Sequence, residues 1–267
     1  MTPTDVQFAG SIPDRYDRYL VPMFFAPYAE DLARRARRLG ARRVLEIAAG
    51  TGVVTAALLD AIPDAEVEAT DLNDEMLTRA SARVADRRVR WSRADALRLP
   101  FDLGRFDLVA CQFGAMFFPD RVAAFREARR VLAPGGAYVL SVWDGLARND
   151  VARIVSDALT ALFPHDPPLF MARTPHGHGD PAALERELRA SGFGRVEHEV
   201  VALRSQAASA RDAALGLCEG TPLRHEILTR GPGRLADAVE AATRALRAEL
   251  GEGAIDAEMC AFVFTAR

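Results

Sequence analysis

The sequence predicts an α/β fold: an open, mostly parallel sheet of seven strands with helices on both faces and a helical insertion before the last strand. Three observations predict it. From Arg42 onward, short β-branched runs alternate with amphipathic runs of helical period, the pattern of successive βαβ units. The first strand-like run ends in Ala48-Ala49-Gly50-Thr51-Gly52, a glycine turn that opens directly into a helix. Polar side chains, Asp71, Asp95 and Gln112, stand at the ends of the next three runs, where an open parallel sheet meets its ligands.

Taken in order, Val44 to Ala48 reads as the first strand and Thr51 to Ile62 as the helix behind it, stopped by Pro63. Val67 to Asp71 is the second strand, and Asn73 is placed to cap a helix with Met76, Leu77, Ala80 and Val84 on one face. Val89 to Ala94 and Phe106 to Gln112 follow as strands three and four. A helix over Asp120 to Leu132 turns through Pro134-Gly135-Gly136 into a fifth strand, Ala137 to Trp143. Beyond it, Pro181 to Ser191 is helical, and Val196 to Leu203 and Glu258 to Thr265 alternate as strands. Ser205 to Gly253 is Ala-rich with helical spacing at Ala238, Ala241, Ala242, Ala245 and Leu246. The Pro-, Gly- and His-rich stretch from Phe163 to Asp180 reads as an irregular loop near the site.

Composition bounds the function. The 267 residues, 49% apolar and 27% charged, fit one globular α/β domain. A net charge of −3 offers no general attraction for nucleic acid or an anionic membrane, so neither is expected as a partner. The run Arg34, Arg35, Arg37, Arg38 interleaves with Leu32, Ala36 and Leu39 and reads as a solvated helix face. Cys111, Cys218 and Cys260 are widely spaced, which points to the reducing cytoplasm. No window approaches the roughly 18 apolar residues of a membrane span.

The residues that follow the strands carry the chemistry. Gly50 and Gly52 let the backbone approach a ligand and lead into free helix N–H groups. Asp71 suits both hydroxyls of a ribose, and Asp95-Ala96 suits the exocyclic amine of an adenine. Here the sequence resembles the class I S-adenosylmethionine-dependent methyltransferases, in particular the small-molecule branch that contains the ubiquinone and menaquinone biosynthesis enzymes. The resemblance runs from Val44 to Trp143. It places the first family motif on Glu46-Ile47-Ala48-Ala49-Gly50-Thr51-Gly52, with Ala48 where the family has its first glycine. It places the ribose acid on Asp71, the adenine-flanking apolar positions on Leu72 and Met76, and the adenine-contacting acid on Asp95. It implies a Rossmann-like methyltransferase fold, S-adenosylmethionine as cofactor, and a small-molecule methyl acceptor. The rival dinucleotide fingerprint needs a third glycine, and Thr55 stands there instead.

On that resemblance the chain is expected to be a single domain over 1–267: a helical lid (1–40), a cofactor-binding core (41–145), the rest of the sheet (146–204 and 254–267) and a helical insertion capping substrate (205–253). The expected cofactor set is Tyr19, Glu46, Ala48, Gly50, Gly52, Asp71, Leu72, Met76, Asp95, Ala96 and Gln112. Tyr16, Phe113, Phe117 and Phe118 are candidates for the substrate pocket, because aromatic faces attract a sulfonium and exclude water. Phe24, Phe25 and Tyr28 read as packing for a leading helix. Candidate proton acceptors are Asp144, His176 and His178, whose alternative is exposed loop residues. His176-Gly177-His178 lacks a third ligand at recognisable spacing, so no metal is expected. Cys218 reads as a packed helix position or a pocket wall. The expected assembly is a monomer or homodimer, and the second functional reading is an S-adenosylmethionine-binding protein that transfers no methyl group.

Overall fold

The computed structural model describes residues 5, 8, 10–177, 179–231 and 233–267. Along them run α1 (Ile12–Arg15), a π-helix (Tyr16–Phe25), α2 (Ala26–Arg38), β1 (Arg43–Ile47), α3 (Val53–Ala61), β2 (Glu66–Asp71), α4 (Asp74–Arg83), β3 (Val89–Arg93) and β4 (Phe106–Gln112). There follow α5 (Arg121–Val131), β5 (Leu132–Trp143), α6 (Asp150–Leu162), α7 (Phe170–Arg173), α8 (Pro181–Ala190), β6 (Val196–Ala207), α9 (Ala210–Glu219), α10 (Leu223–Thr229), α11 (Arg234–Leu250) and β7 (Ile255–Ala266).

The seven strands form one sheet in the order β3-β2-β1-β4-β5-β7-β6. The pairs β1–β2, β1–β4, β2–β3 and β4–β5 are parallel. At the far edge Arg195 and Arg267 exchange both backbone hydrogen bonds, 3.0 and 2.8 Å, a reciprocal pair that only antiparallel strands make. The sheet is therefore mostly parallel. Its order reverses between β1 and β4, and ligands of open α/β sheets bind beyond the carboxyl ends of the strands at such a switch point.

The chain clusters into two compact units. The unit made of Tyr28–Val142, Asp180–Val201 and Ala261–Arg267 is the α/β part. Strand side chains alternate between its two faces. Val139, Leu108, Val44 and Val67 pack with Leu32 and Ala36 of α2 and Leu58 of α3, whereas Tyr138 meets Phe125 of α5 at 5.8 Å on the other face. Helices thus cover both faces. Asp120 caps α5 by accepting from Ala123 N, and Asn73 caps α4 by accepting from Glu75 N and Met76 N, as its position in the sequence predicts.

The other unit comprises Met1–Pro27, Trp143–Gly179 and Ala202–Cys260 and is largely helical in its described residues. Its core brings together α6, α9 and α11 through Val151, Ile154, Val155, Ala214, Leu217, Ala238, Ala242 and Leu246. The helical periodicity of 205–253 is realised as α9, α10 and α11. Two elements differ from the sequence reading. Phe163 to Asp180 is not simply a loop, because α7 lies within it and buries Phe170 and Met171. The leading segment is a π-helix, because Pro22 has no N–H to give and the ladder loosens to bonds such as Ala26 N to Val21 O.

Candidate functional site

The switch-point end of the α/β unit is built around Asp71, the last residue of β2. One carboxylate oxygen accepts Gly50 N at 2.8 Å and the other accepts Asn73 N at 2.9 Å. The side chain therefore ties the glycine loop to the start of α4. Each oxygen keeps a second lone pair, so the carboxylate can still accept two vicinal hydroxyls. Burial raises its pKa despite those bonds. Beside it Leu72 is 57% exposed, an apolar side chain presented outward at a strand end, while Met76 packs inward from α4.

The loop itself is bent by left-handed residues. Gly50 and Gly52 have φ 57° and 82°, and a Cβ on Gly52 would press on Ala80 and Trp91 at 3.1 Å. Ala48 has φ 58°, and Phe113, just after β4, has φ 55°. These are non-glycine residues in a region that costs them energy, and both stand beyond the strands that flank the switch point. The Ala48 methyl lies against Gly114, where a Cβ would come within 2.5 Å of it. Glycine at 114 makes the room that alanine at 48 takes.

Glu46 is 2% exposed, and its carboxyl bonds Thr55 Oγ1 of α3 at 2.5 Å. It braces the helix behind the loop. Burial, with the neighbouring Asp71 charge adding to it, pushes its pKa up to about 8 against the Thr55 bond, so it is largely neutral near pH 7. Asp95 is exposed, with one oxygen accepting Leu97 N at 2.9 Å, and Ala96 is buried beneath it. Gln112 is half-buried at the end of β4, opposite Ser141 of β5.

A nucleoside cofactor fits these residues. Asp71 offers acceptors for a diol, Leu72 an apolar face beside it, and Asp95 an acceptor one strand further on. The buried hydroxyl of Thr51, inside the loop, has no hydrogen-bond partner among the described residues and is available to a ligand.

The remaining candidate residues are distributed over both units. Phe113 is 5% exposed and packs edge-on against Tyr28 at 5.2 Å; Phe117 and Phe118 are half-buried. Tyr16 and Tyr19 belong to the helical unit. There Tyr19 lies under the Arg18 guanidinium at 5.2 Å and packs on Gly216, while Tyr16 stacks on Phe25 at 4.9 Å. Cys218 is fully buried in α9, and burial pushes its thiol up to about 12, so it is packing. His165 is exposed, but His176 is 8% exposed and is not a surface loop residue. Asp144 spends one carboxylate oxygen on Gly145 N at 2.7 Å. His178 lies outside the described residues. Thr51, Thr55 and Gly114 were not among the expected site residues, although Thr51 lies inside the motif; Thr55 carries a signal, a hydroxyl one helical turn into the helix that follows the acidic strand.

Comparison with known proteins places this architecture. A family model described as a methyltransferase domain matches residues 44–136. The demethylmenaquinone methyltransferase of Clavibacter sepedonicus is 33% identical over 175 residues, 62% of this chain and 71% of that protein. The chain belongs to the class I S-adenosylmethionine-dependent methyltransferases. The demethylmenaquinone methyltransferase of Deinococcus radiodurans is 36% identical over 136 residues, 49% of this chain, and only 56% of that protein's length is spanned. The structure of Haemonchus contortus phosphoethanolamine N-methyltransferase 2 in complex with S-adenosyl-L-methionine shares the fold, with a TM-score of 0.61 at 17% identity over 100% of this chain and 60% of that one. In this family the cofactor is S-adenosylmethionine, and Ala48 to Gly52, Asp71 and Asp95 fall in the matched segment. No helix among the described residues is long and apolar enough to cross a membrane.

Proposed function

We propose that the protein transfers a methyl group from S-adenosylmethionine to a small-molecule acceptor. The observation that carries this is Asp71, which positions the glycine loop through Gly50 N while keeping acceptor capacity for a ribose. Asp71 would hold the ribose, Leu72 the adenine face, Asp95 and Ala96 the adenine edge, and Ala48 to Gly52 with Gln112 the methionine part. When bound, the cofactor supplies an electrophilic methyl group on a sulfonium. The chain's own contribution is positioning: a rigid loop tied at both ends, and rings that exclude water.

The relatives' names support a small acceptor, and the net charge of −3 supports a role apart from nucleic acid. Three buried free cysteines suit a reducing, cytoplasmic compartment. Calorimetric titration with S-adenosylhomocysteine tests the cofactor site. Wild type is expected to bind and Asp71→Ala to bind at least about tenfold more weakly, since a charged acceptor is worth roughly 1.5–3 kcal/mol per bond. Failure of wild type to bind it or S-adenosylmethionine would overturn the reading. Binding without methylated product across a broad acceptor screen would favour a cofactor-binding protein without transfer activity.

A further inference from the structure

Within the helical unit, α10 packs most closely on α7, α9 and α11. Every carboxylate on these four helices is already engaged. α7 carries none. On α9, Asp212 accepts from Ser209 Oγ at 2.9 Å and Glu219 pairs with Arg15 at 3.0 Å. On α10, Glu226 pairs with Arg173 at 2.6 Å, and its other oxygen accepts Leu169 N at 2.8 Å. On α11, Asp237, Glu240 and Glu249 pair with Arg234, Arg244 and Arg153 at 2.8, 3.3 and 2.8 Å.

One cation among these helices is left over. Arg224, in the first turn of α10, is half-buried, and its guanidinium pairs with no carboxylate among the described residues. Its Nη1 is buried and has no hydrogen-bond partner among them. A guanidinium holds its proton throughout the physiological range, so this group cannot escape its desolvation by becoming neutral, as a buried lysine or histidine does. Only an acceptor relieves the cost.

The base of the side chain is fixed in advance. Thr221 Oγ1 donates to Leu217 O at 2.8 Å and accepts Leu223 N at 3.2 Å, and Arg224 N donates to Thr221 O at 3.1 Å. Gly220 lets this turn close on the π-helix, because a Cβ there would stand 3.0 Å from Tyr16 N. Leu223 and Ile227, 1% and 0% exposed, set the rotation of α10 in the helical core. A backbone held this way spares a ligand part of the entropy cost of ordering its partner.

We propose that Arg224 is an oxyanion-binding residue, through which the helical unit takes the carboxylate or phosphate group of a small molecule. The planar fork of donors matches both groups, and their negative charge supplies the counterion that the surrounding helices spend elsewhere. A neutral carbonyl would satisfy one N–H and leave the charge uncompensated. An oxyanion site here does not depend on cofactor binding, so its test and the cofactor titration stand or fall separately.

An uncompensated buried charge burdens the ligand-free fold, which separates a binding residue from a structural one. Arg224→Met keeps an unbranched side chain and removes the charge, so it should raise the urea midpoint of the ligand-free protein, whereas removing an arginine that braces the fold would lower it. The full chain, in Tris chloride near neutral pH, is titrated calorimetrically with sodium phosphate and with sodium benzoate against sodium chloride at equal ionic strength. Wild type is expected to bind at least one probe above the chloride background, phosphate marking a phosphate ligand and benzoate a carboxylate. Arg224→Met should bind that probe at least about tenfold more weakly, the loss of one charge-assisted hydrogen bond. Arg224→Lys, which keeps the charge without the fork, should fall between them. Saturating probe should raise the wild-type urea midpoint and leave that of Arg224→Met in place. The wild-type titrations need no variant to fold. Binding of neither probe above chloride, equal binding by wild type and Arg224→Met, or a lower midpoint in ligand-free Arg224→Met overturns the proposal.

Discussion

Ala48 and Gly114 form a coupled pair that can be tested by exchange. Ala48 holds φ 58°, a left-handed conformation that costs an alanine about 1–2 kcal/mol over glycine. Replacing it with glycine relieves that strain but frees the unfolded chain, at a cost of about 0.4–1 kcal/mol. Ala48→Gly should therefore change stability by between about 0 and about 1.6 kcal/mol, in the stabilising direction. Gly114 has an ordinary φ of −89°, so nothing in its backbone demands glycine. The obstacle is space: a Cβ there would lie 2.5 Å from the Ala48 methyl and 2.9 Å from Cys111 Sγ. Both are far inside normal contact, and overpacking of this kind costs about 1–3 kcal/mol. Gly114→Ala should lie at the upper end of that range, and Ala48→Gly/Gly114→Ala should recover the part due to the tighter clash. Cys111 Sγ remains, so the recovery is partial. A urea-denaturation cycle over the four proteins should give a coupling of about 1 kcal/mol or more. Additivity within about 0.3 kcal/mol would show that the Ala48 methyl is not what excludes a side chain at 114, and the loop assignment would fail with it.

Two further predictions concern titration and capping. Glu46 has a folded pKa raised to about 8, so its favourable contribution is complete below its unfolded value of 4.5 and is lost as pH rises through 8. His176 has a folded pKa lowered to about 4, so its contribution is present above 6.5 and is lost as pH falls toward 4. The two slopes oppose each other between 4.5 and 6.5, and above that window Glu46 acts alone. Stability should then fall between pH 6.5 and 8, and Glu46→Gln should flatten that limb; a fall of the same slope in the variant would refute the assignment. Asn73→Ala should cost about 1 kcal/mol by removing the acceptor for Glu75 N and Met76 N, read as a shift in denaturation midpoint with unchanged slope, and an unshifted midpoint would show the cap to be dispensable.

What the sequence made legible was whatever repeats with a period or sits at a fixed offset from a strand end. β4 is found at Phe106–Gln112, as the alternation predicts, and Asn73 caps the helix its position announces. Asp71 is in place because a parallel strand delivers its last residue to the sheet's carboxyl edge whatever the rest of the chain does. α6 was missed although Val151, Ile154, Val155 and Leu159 carry a helical stripe, because the Asn149-Asp150 start offers no familiar βαβ context. Phe113 was ambiguous for a different reason. An aromatic residue after a strand reads equally as pocket or core, and a single sequence does not show its left-handed backbone or the ring contact with Tyr28. Ala48 shows the same limit more sharply. The sequence shows only that alanine stands where the resembling family has glycine, whereas in the folded chain its backbone is left-handed and its methyl finds room at Gly114, 66 residues away in sequence. Side-chain direction at a strained position depends on the partner across the turn, and a single sequence names that partner only after the fold has brought the two together.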